Sequence, residues 1–214
     1  MLANRMMMGA AGATGIYHGM SNGSLLDEDF ADISDWADDD GTDGTSSQVT
    51  FDSKSCLKLD SGSDPDNNQD RATRSIDFGD TPSGLITLSY SVYHSAIGTR
   101  ANGDYFTNYF QLNTERLLCI HASDGFFINL ESGGYTELGT NIVSIGVWQE
   151  WTFYYNPNTK LCEVYLDEEL VAKDLAIDID SSMYDGYTES TQYGSTTANR
   201  ISYLDWLKVG DGYA

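Results

Sequence analysis

Basic residues are scarce in this sequence. Lys and Arg together number 11 against 33 Asp and Glu, which gives a formal net charge of -22 over 214 residues. A field of this sign repels nucleic-acid phosphates and anionic lipid headgroups. The composition therefore argues against binding to DNA, RNA or membrane surfaces. It favours a heavily hydrated acidic surface that also attracts divalent cations.

Cysteine is also rare. Cys56, Cys119 and Cys162 lie in three separate apolar runs, and no two of them are close in sequence. An odd number without short spacing is not typical of a disulfide framework or of a zinc site. We therefore expect buried free thiols and folding in a reducing cytosol. One disulfide with one leftover thiol is the alternative.

Long apolar runs are missing too. No stretch approaches the roughly 20 apolar residues that a membrane-spanning helix needs. Near the start, Arg5 precedes three methionines, but Gly9 and Gly12 interrupt the apolar stretch that a secretory signal requires. We expect neither a cleaved signal peptide nor a membrane anchor.

The chain lacks sustained helical periodicity and instead alternates like β-strands. In residues 85 to 93, apolar side chains would face one side of a sheet, with Thr and Ser on the other; the apolar ones are Ile86, Leu88, Tyr90 and Val92. Similar segments recur about every 8 to 12 residues, the spacing of a sandwich or barrel. The sequence predicts an all-β, two-sheet antiparallel sandwich.

The most informative stretch is residues 148 to 171, WQEWTFYYNPNTKLCEVYLDEELV. A strand in which Trp151, Phe153 and Tyr155 share one face leads into a turn at residues 156 to 159. Cys162, Val164 and Leu166 then alternate up to a second reversal at residues 167 to 169. The stretch predicts two consecutive hairpins.

This Trp-led strand and its aliphatic-Tyr-aliphatic-Asp hairpin resemble the concanavalin A-like lectin/glucanase superfamily, especially its laminin-G-like members. Glu168 stands where that family usually has Gly. Residues 201 to 210, ISYLDWLKVG, are similar to the family's last strand, which pairs near the first. The resemblance implies a jelly-roll sandwich over residues 24 to 214, preceded by an extended N-terminal arm of residues 1 to 23.

The arm carries a methionine cluster, Met6, Met7 and Met8. Methionine adapts to irregular apolar grooves, so the cluster suits docking onto a partner. An opening with Asn-Arg, a Met cluster and Ala/Gly repeats is similar to the starts of tailed-bacteriophage structural proteins. The resemblance implies a protein made in the host cytoplasm and placed on the virion surface. Its partners would be other virion proteins, in a homo-oligomer or multi-copy assembly.

One acidic segment resembles the first half of a calcium loop, because oxygen-bearing side chains recur at every second position: Asp64, Asp66, Asn68 and Asp70. Gln69 occupies the place that needs Gly, and Ser75 replaces the closing Glu, so an EF-hand is excluded. A calcium site completed from another loop, or a solvated acidic loop, remains. No other cofactor is expected.

Residues 176 to 200 form a long polar stretch that contains Tyr184, Tyr187 and Tyr193. Loops of this length in compact domains are usually functional. Tyrosines among Ser, Thr and Gly suit contact with another protein or stacking on a sugar. Subunit contact, glycan binding and an ordinary surface loop are the three interpretations.

The acid pattern of the superfamily's glycoside hydrolases, Glu-x-Asp-x-x-Glu or Glu-x-Asp-x-Glu, is missing. Glu163 and Asp167 are four apart, with Tyr165 in the middle position, and residues 167 to 169 form a reversal rather than one wall of a cleft. His18, His94 and His121 are dispersed, and no nucleophile elbow or phosphate loop occurs. The sequence predicts no catalytic residue and a protein that is not an enzyme.

The favoured function at this point is a virion structural protein of a tailed phage, either a head decoration or a tail-associated protein. Its arm would dock onto a neighbouring subunit, and its sandwich would face outward and touch host glycans. The alternative is a calcium-assisted, carbohydrate-binding lectin. A glycoside hydrolase or polysaccharide lyase is the third interpretation.

Overall fold

The structure is a computed structural model that describes residues 23–38, 45–62, 68–77, 85–103, 105–112, 115–129, 134–156, 158–177, 185–194 and 200–212. Apart from one short 3-10 helix at Arg100–Asn102, the regular elements in these ranges are β-strands: β1 Gly23–Glu28, β2 Ala37–Asp38, β3 Thr45–Phe51, β4 Lys54–Asp60, β5 Asn68–Asp77, β6 Leu85–Ala96, β7 Phe106–Leu112, β8 Glu115–Ala122, β9 Gly125–Asn129, β10 Tyr135–Gly139, β11 Trp148–Asn156, β12 Leu161–Leu166, β13 Glu169–Ala176, β14 Asp185–Gly194 and β15 Ile201–Gly212.

The strands form two antiparallel sheets that pack face to face. The first sheet runs in the order β13-β12-β11-β6-β15-β4-β3, and β1 also pairs with β15. The second sheet runs β10-β9-β8-β7-β14-β5-β2. The predicted all-β sandwich is therefore confirmed. The closing strand β15 pairs with β1, with Leu207 opposite Glu28, as the family resemblance implied.

Side-chain alternation places the core between the two sheets. Trp151, Phe153 and Tyr155 of β11 are fully buried, and so are the inward residues of β6. Phe126 from the second sheet stacks on Trp151, with ring centroids 4.1 Å apart and an interplanar angle of 12°. Because every second residue of these strands is apolar, the inward faces bury large side chains, and the burial stabilises the sandwich.

The segment after β1 covers one edge of the core. Phe30 and Trp36 are both buried. The Glu28 carboxylate accepts hydrogen bonds from the Phe30 backbone N–H at 2.8 Å and from the Trp36 indole Nε1 at 3.0 Å. One buried carboxylate thus holds the Phe30 backbone and the Trp36 indole ring at this edge of the sandwich.

The prediction of a long polar loop at residues 176 to 200 is wrong for residues 185 to 194. These residues form β14, which pairs with β7 on one side and β5 on the other. Ser190 of β14 is fully buried and donates to Asn108 Oδ1 at 3.3 Å. A small polar residue at an inward position gives the strand no apolar alternation, and this explains the error.

The three thiols are buried, as predicted, and they are unpaired. Burial raises the pKa of each, that of Cys56 to about 11. A thiolate is therefore strongly disfavoured at all three positions. Within the part of the chain that the structure describes, no helix has the length and apolarity to cross a membrane.

Candidate functional site

The outer face of the first sheet carries a groove over β11 and β6. Because Trp151 and Phe153 face the core, Thr152 and its outward neighbours on β11 point away from it. On β6, the outward side chains are the small hydroxyl residues Thr87, Ser89 and Ser91, each at most 5% exposed. Small side chains here leave a depression between the larger side chains of β11 and β15.

This depression, called here the outer groove, encloses about 160 Å³ and is lined by Thr87, Ser89, Glu150, Thr152, Tyr154, Tyr165, Glu168 and Trp206. A second hollow of about 180 Å³ adjoins it and is lined by Leu85, Tyr154, Asn156, Thr159, Leu161, Glu163 and Asp174. Tyr154 lines both. The two hollows therefore form one elongated depression with Tyr154 at its middle.

A β-bulge in β15 brings Trp206 to the groove. Leu204 and Leu207 are both buried in the core although they are three residues apart. The register shifts between Leu204 and Trp206, so that Asp205 is the extra residue. Bulges re-aim side chains in this way next to functional sites. Asp205 forms an ion pair with Lys54, and Trp206 lines the groove.

The turn between β12 and β13 brings a second carboxylate to the groove. The N–H of Asp167 donates to the carbonyl oxygen of Glu150 at 2.8 Å, and the N–H of Glu150 donates to Asp167 Oδ1 at 2.8 Å. These bonds hold the turn against β11, and Glu168 lines the groove beside Glu150. The expectation that this reversal lies away from any cleft is therefore wrong.

Both turn residues adopt the left-handed backbone conformation, with φ of 49° at Asp167 and 70° at Glu168. This is the type I′ form of the two-residue hairpin turn, which requires positive φ at both positions and normally uses Asn-Gly or Asp-Gly. A side chain other than Gly at such a position costs roughly 1–2 kcal/mol. The Gly that the family resemblance led us to expect at position 168 would fit this turn with less strain.

Replacing Glu168 with Gly should raise the stability of the protein. Relief of the backbone strain outweighs the extra entropy of Gly in the unfolded chain, for a net gain of about 0.5–1 kcal/mol. For a chain of this size we expect a rise in Tm of about 1–4 °C, measured by calorimetry. Glu168→Ala is the matched control, because it removes the carboxylate and keeps the strained backbone. A glycine variant no more stable than the alanine variant would contradict this explanation.

The surroundings of Glu150 raise the pKa of its carboxyl group. Partial desolvation raises its pKa above the ordinary value of 4.5, and the negative charges of Asp167, Glu168 and Asp205 add to the effect, while Lys54 opposes it. Lys54 is engaged with Asp205 and lies 4.5 Å from the centre of the Trp148 ring. A carboxyl group held in its protonated form to higher pH can donate a proton.

Aromatic rings flank the groove along its length. Tyr154 and Tyr165 meet edge to face at 5.5 Å, and the Tyr165 hydroxyl donates to Glu163 Oε2 at 2.8 Å. Burial and this hydrogen bond raise the Tyr165 pKa, so the hydroxyl stays protonated. Beyond Glu150 lies an aromatic end formed by Phe51, Tyr93, Trp148 and Tyr203, in which Phe51 and Tyr203 stack at 4.0 Å.

The residues singled out from the sequence lie elsewhere. Met6, Met7, Met8, Asp64, Asp66 and Tyr184 fall outside the described residues. The backbones of Asn68 and Asp70 lie in β5, and those of Tyr187 and Tyr193 in the neighbouring β14. Both strands belong to the second sheet, whereas the outer groove lies on the first. In the described ranges, no group of three or more His, Cys, Asp or Glu side chains could hold a metal ion.

Sequence reasoning missed the groove residues, although part of their signal was present. The alternation that buries Trp151 and Phe153 also places Glu150, Thr152 and Tyr154 together on the opposite face. The hydroxyl-bearing face of β6 was recognised from the sequence, but the pairing of β6 with β11 was not. No motif within one strand joins carboxylates from β11 and the β12–β13 turn.

Solved structures with the same fold agree with the predicted jelly-roll architecture. A sialidase aligns with a TM-score of 0.66 at 13% identity over 90% of this chain, which spans only 19% of that protein. The carbohydrate esterase vb_24B_21 from Shiga toxin-encoding bacteriophage phi24B aligns with a TM-score of 0.65 at 11% identity, over 92% of this chain and all of the esterase.

The endo-β-1,4-glucuronan lyase from the fungus Trichoderma reesei aligns with a TM-score of 0.59 at 16% identity, over 87% of this chain and 95% of the lyase. At these identities the similarity establishes the fold. No protein-family model and no curated protein matches the sequence.

These structures contradict the prediction that the chain is not an enzyme. The sialidase, the esterase and the lyase carry the names of enzymes, and the last two are matched over nearly their full length. The prediction was based on the absence of one acid pattern along a single strand. Strands and turns distant in sequence can supply the carboxylates of one site, and here Glu150 and Glu168 come from different elements.

Proposed function

We propose that this protein is a polysaccharide-processing enzyme that binds a glycan chain in the outer groove and cleaves a glycosidic bond there. The observation that carries the proposal is Glu150, a carboxyl group with a raised pKa in a groove with aromatic walls and a hydroxyl floor. The names of the similar esterase and lyase support it, because they describe glycan-processing proteins with this fold.

The shape and chemistry of the groove suit a sugar chain. Two hollows joined at Tyr154 match an extended ligand better than a compact one. The face of Trp206 offers an apolar surface to the C–H side of a sugar ring. The floor hydroxyls of Thr87, Ser89 and Thr152 both donate and accept hydrogen bonds, as sugar hydroxyl groups do.

The carboxylates suit acid–base chemistry at the glycosidic oxygen. Cleavage of a glycosidic bond needs one carboxyl group that protonates the leaving oxygen and a second, ionised carboxylate. Glu150 is the acid in this proposal because its pKa is raised. Glu168, which lines the same groove from the neighbouring turn, is the second carboxylate: it accepts a proton from the water whose oxygen bonds to the anomeric carbon as the glycosidic C–O bond breaks.

Replacing Trp206 with Ala tests the site. We expect the Kd for a bound oligosaccharide to rise about tenfold, equivalent to ~1.4 kcal/mol, because a stacking surface is lost. Product release from a panel of polysaccharides and calorimetric titration with the corresponding oligomers are the measurements. Tyr135→Ala, which removes an exposed ring on β10 of the second sheet, is the matched control and should change neither value.

Two outcomes would reject the proposal. If no polysaccharide in the panel yields product or binds, the glycan-processing function is wrong. If glycans bind and Trp206→Ala behaves like Tyr135→Ala, the binding site lies outside the outer groove.

The predicted place of the protein on a tailed-phage virion is a separate part of the proposal. The similarity to a carbohydrate esterase from a bacteriophage supports it. Docking through Met6, Met7 and Met8, multi-copy assembly and a calcium ion at Asp64–Asp70 stay predictions. None of them is needed for glycan processing in the outer groove.

A further inference from the structure

We infer that the outer groove selects glycans without anionic groups and that free amino groups on the sugar increase affinity. This inference rests on the proposed function and names the substrate class of the same groove. The inference follows from the signs of the charges on the side chains that line the two hollows.

Carboxylates are distributed along the whole depression. Glu150 and Glu168 line the outer groove, and Glu163 and Asp174 line the second hollow. Asp167 lies beside Glu150, bonded to its backbone N–H. A sugar chain that spans both hollows therefore meets two acidic side chains in each of them.

Basic side chains do not compensate for this charge. Among the described residues that line the two hollows, none is Lys or Arg. Three lysines on neighbouring strands are ion-paired: Lys54 with Asp205, Lys208 with Asp27 at 2.9 Å, and Lys173 with Asp174 at 3.7 Å. A uronate that bound one of these lysines would compete with the acid to which it is paired.

The repulsion is large enough to order ligands by charge. Two like charges about 4 Å apart in bulk water weaken an association roughly fivefold, and a partly desolvated groove increases this factor. The effect is repeated at each sugar that places a carboxylate near an acidic side chain. An ammonium group at the same position is attracted by the same field.

The test compares three β-1,4-linked oligomers of equal length. They are built from glucosamine, glucose or glucuronic acid, so they share a backbone and differ in charge. We expect the glucosamine oligomer to bind most tightly to the full-length protein and the glucuronic acid oligomer most weakly. At low ionic strength and mildly acidic pH, where the amino groups are protonated, the glucosamine and glucuronic acid oligomers should differ in Kd at least tenfold. High salt should reduce the difference, because it screens exposed charges.

A charge variant supplies a second readout. Glu168→Gln should reduce the ratio of the Kd values for the glucuronic acid and glucose oligomers by about fivefold, because one repelling carboxylate is removed. Glu137→Gln, which neutralises an exposed acid on β10 of the second sheet, is the matched control and should leave the series unchanged.

The outcomes separate this inference from the proposed function. A glucuronic acid oligomer that binds as tightly as the glucose oligomer overturns the charge selection and leaves glycan processing in place. If none of the three oligomers binds, both the groove function and its charge selection are overturned.

Discussion

Replacing Glu150 with Gln is expected to lower turnover of the bound polysaccharide at least about 100-fold, with little change in affinity. Glutamine has the same shape as glutamate but cannot donate the proton that the leaving oxygen needs, and general acid catalysis contributes about 10²–10⁴ in rate. The side chain of Glu150 is exposed, and its backbone makes the strand and turn hydrogen bonds. The variant should therefore fold and bind normally.

Measurements of kcat and of Kd on the same substrate separate catalysis from binding. Glu137→Gln again serves as the control, because its carboxylate lies on the other sheet. A Glu150→Gln enzyme that keeps its kcat would show that Glu150 does not act as the acid. A loss of affinity equal to the loss of turnover would assign Glu150 a binding role instead.

The pH profile gives a further readout of the same residue. Glu150 acts in its protonated form, so turnover should fall as pH rises through its pKa, which lies above 4.5. The negative charge of Glu168 contributes to that raised value. Glu168→Gln should lower turnover because the second carboxylate is lost. In the activity that remains, the alkaline limb of the profile should lie at lower pH, because the pKa of Glu150 is lower without the Glu168 charge. A purely structural role for Glu150 would leave the limb unmoved.

Mild acid is expected to destabilise the fold because two histidines are buried between the sheets. Ser202 Oγ lies 2.8 Å from His94 Nδ1, His94 Nε2 lies 3.3 Å from His121 Nδ1, and His121 Nε2 lies 2.7 Å from the Tyr90 hydroxyl. Aromatic rings surround the pair, with Trp151 and Phe126 edge-on to His121. The pair thus joins β6 and β15 of the first sheet to β8 of the second.

Burial lowers the pKa of both histidines, that of His94 to about 3, and the proximity of His94 lowers that of His121 further. Both are neutral in the folded protein at neutral pH, whereas in the unfolded chain they protonate at about 6.5. Their contribution to stability is therefore complete above pH 6.5 and decreases as the pH falls through that value. Between pH 6.5 and 5.5 the two together should reduce the free energy of unfolding by about 2 kcal/mol.

Urea unfolding followed at several pH values measures this effect. His121→Gln removes one of the two imidazoles. It should roughly halve the decrease in the free energy of unfolding between pH 6.5 and 5.5 that comes from the histidine pair. Tyr90→Phe is the matched control. It leaves His121 Nε2 without its 2.7 Å partner and should lower the free energy of unfolding by about 1–2 kcal/mol at neutral pH. Because both imidazoles remain, the dependence of the unfolding free energy on pH should not change. Folded-state titration of the imidazoles near pH 6.5, observed by NMR, would contradict the explanation.

The sequence by itself determined the fold class and most of the strands. The side chains of Ile86, Leu88, Tyr90 and Val92 lie on the same face of their strand in any sheet arrangement, because side-chain direction in a strand depends only on the local backbone. The same local physics predicted the hairpins of β11 and β12 and the burial of the thiols. It failed at β14, where a small polar residue, Ser190, occupies the inward position.

Only the tertiary structure decided where the candidate site lies. Glu150, Thr87 and Trp206 come from three strands that are distant in sequence, and the pairing of β11 with β6 and of β6 with β15 brings them together. Strand pairing depends on long-range packing of the whole core, so no local pattern encodes it. The bulge at Asp205 turns Trp206 toward the groove, and the turn after β12 adds Glu168. These side chains line one groove only because neighbouring strands supply its other walls.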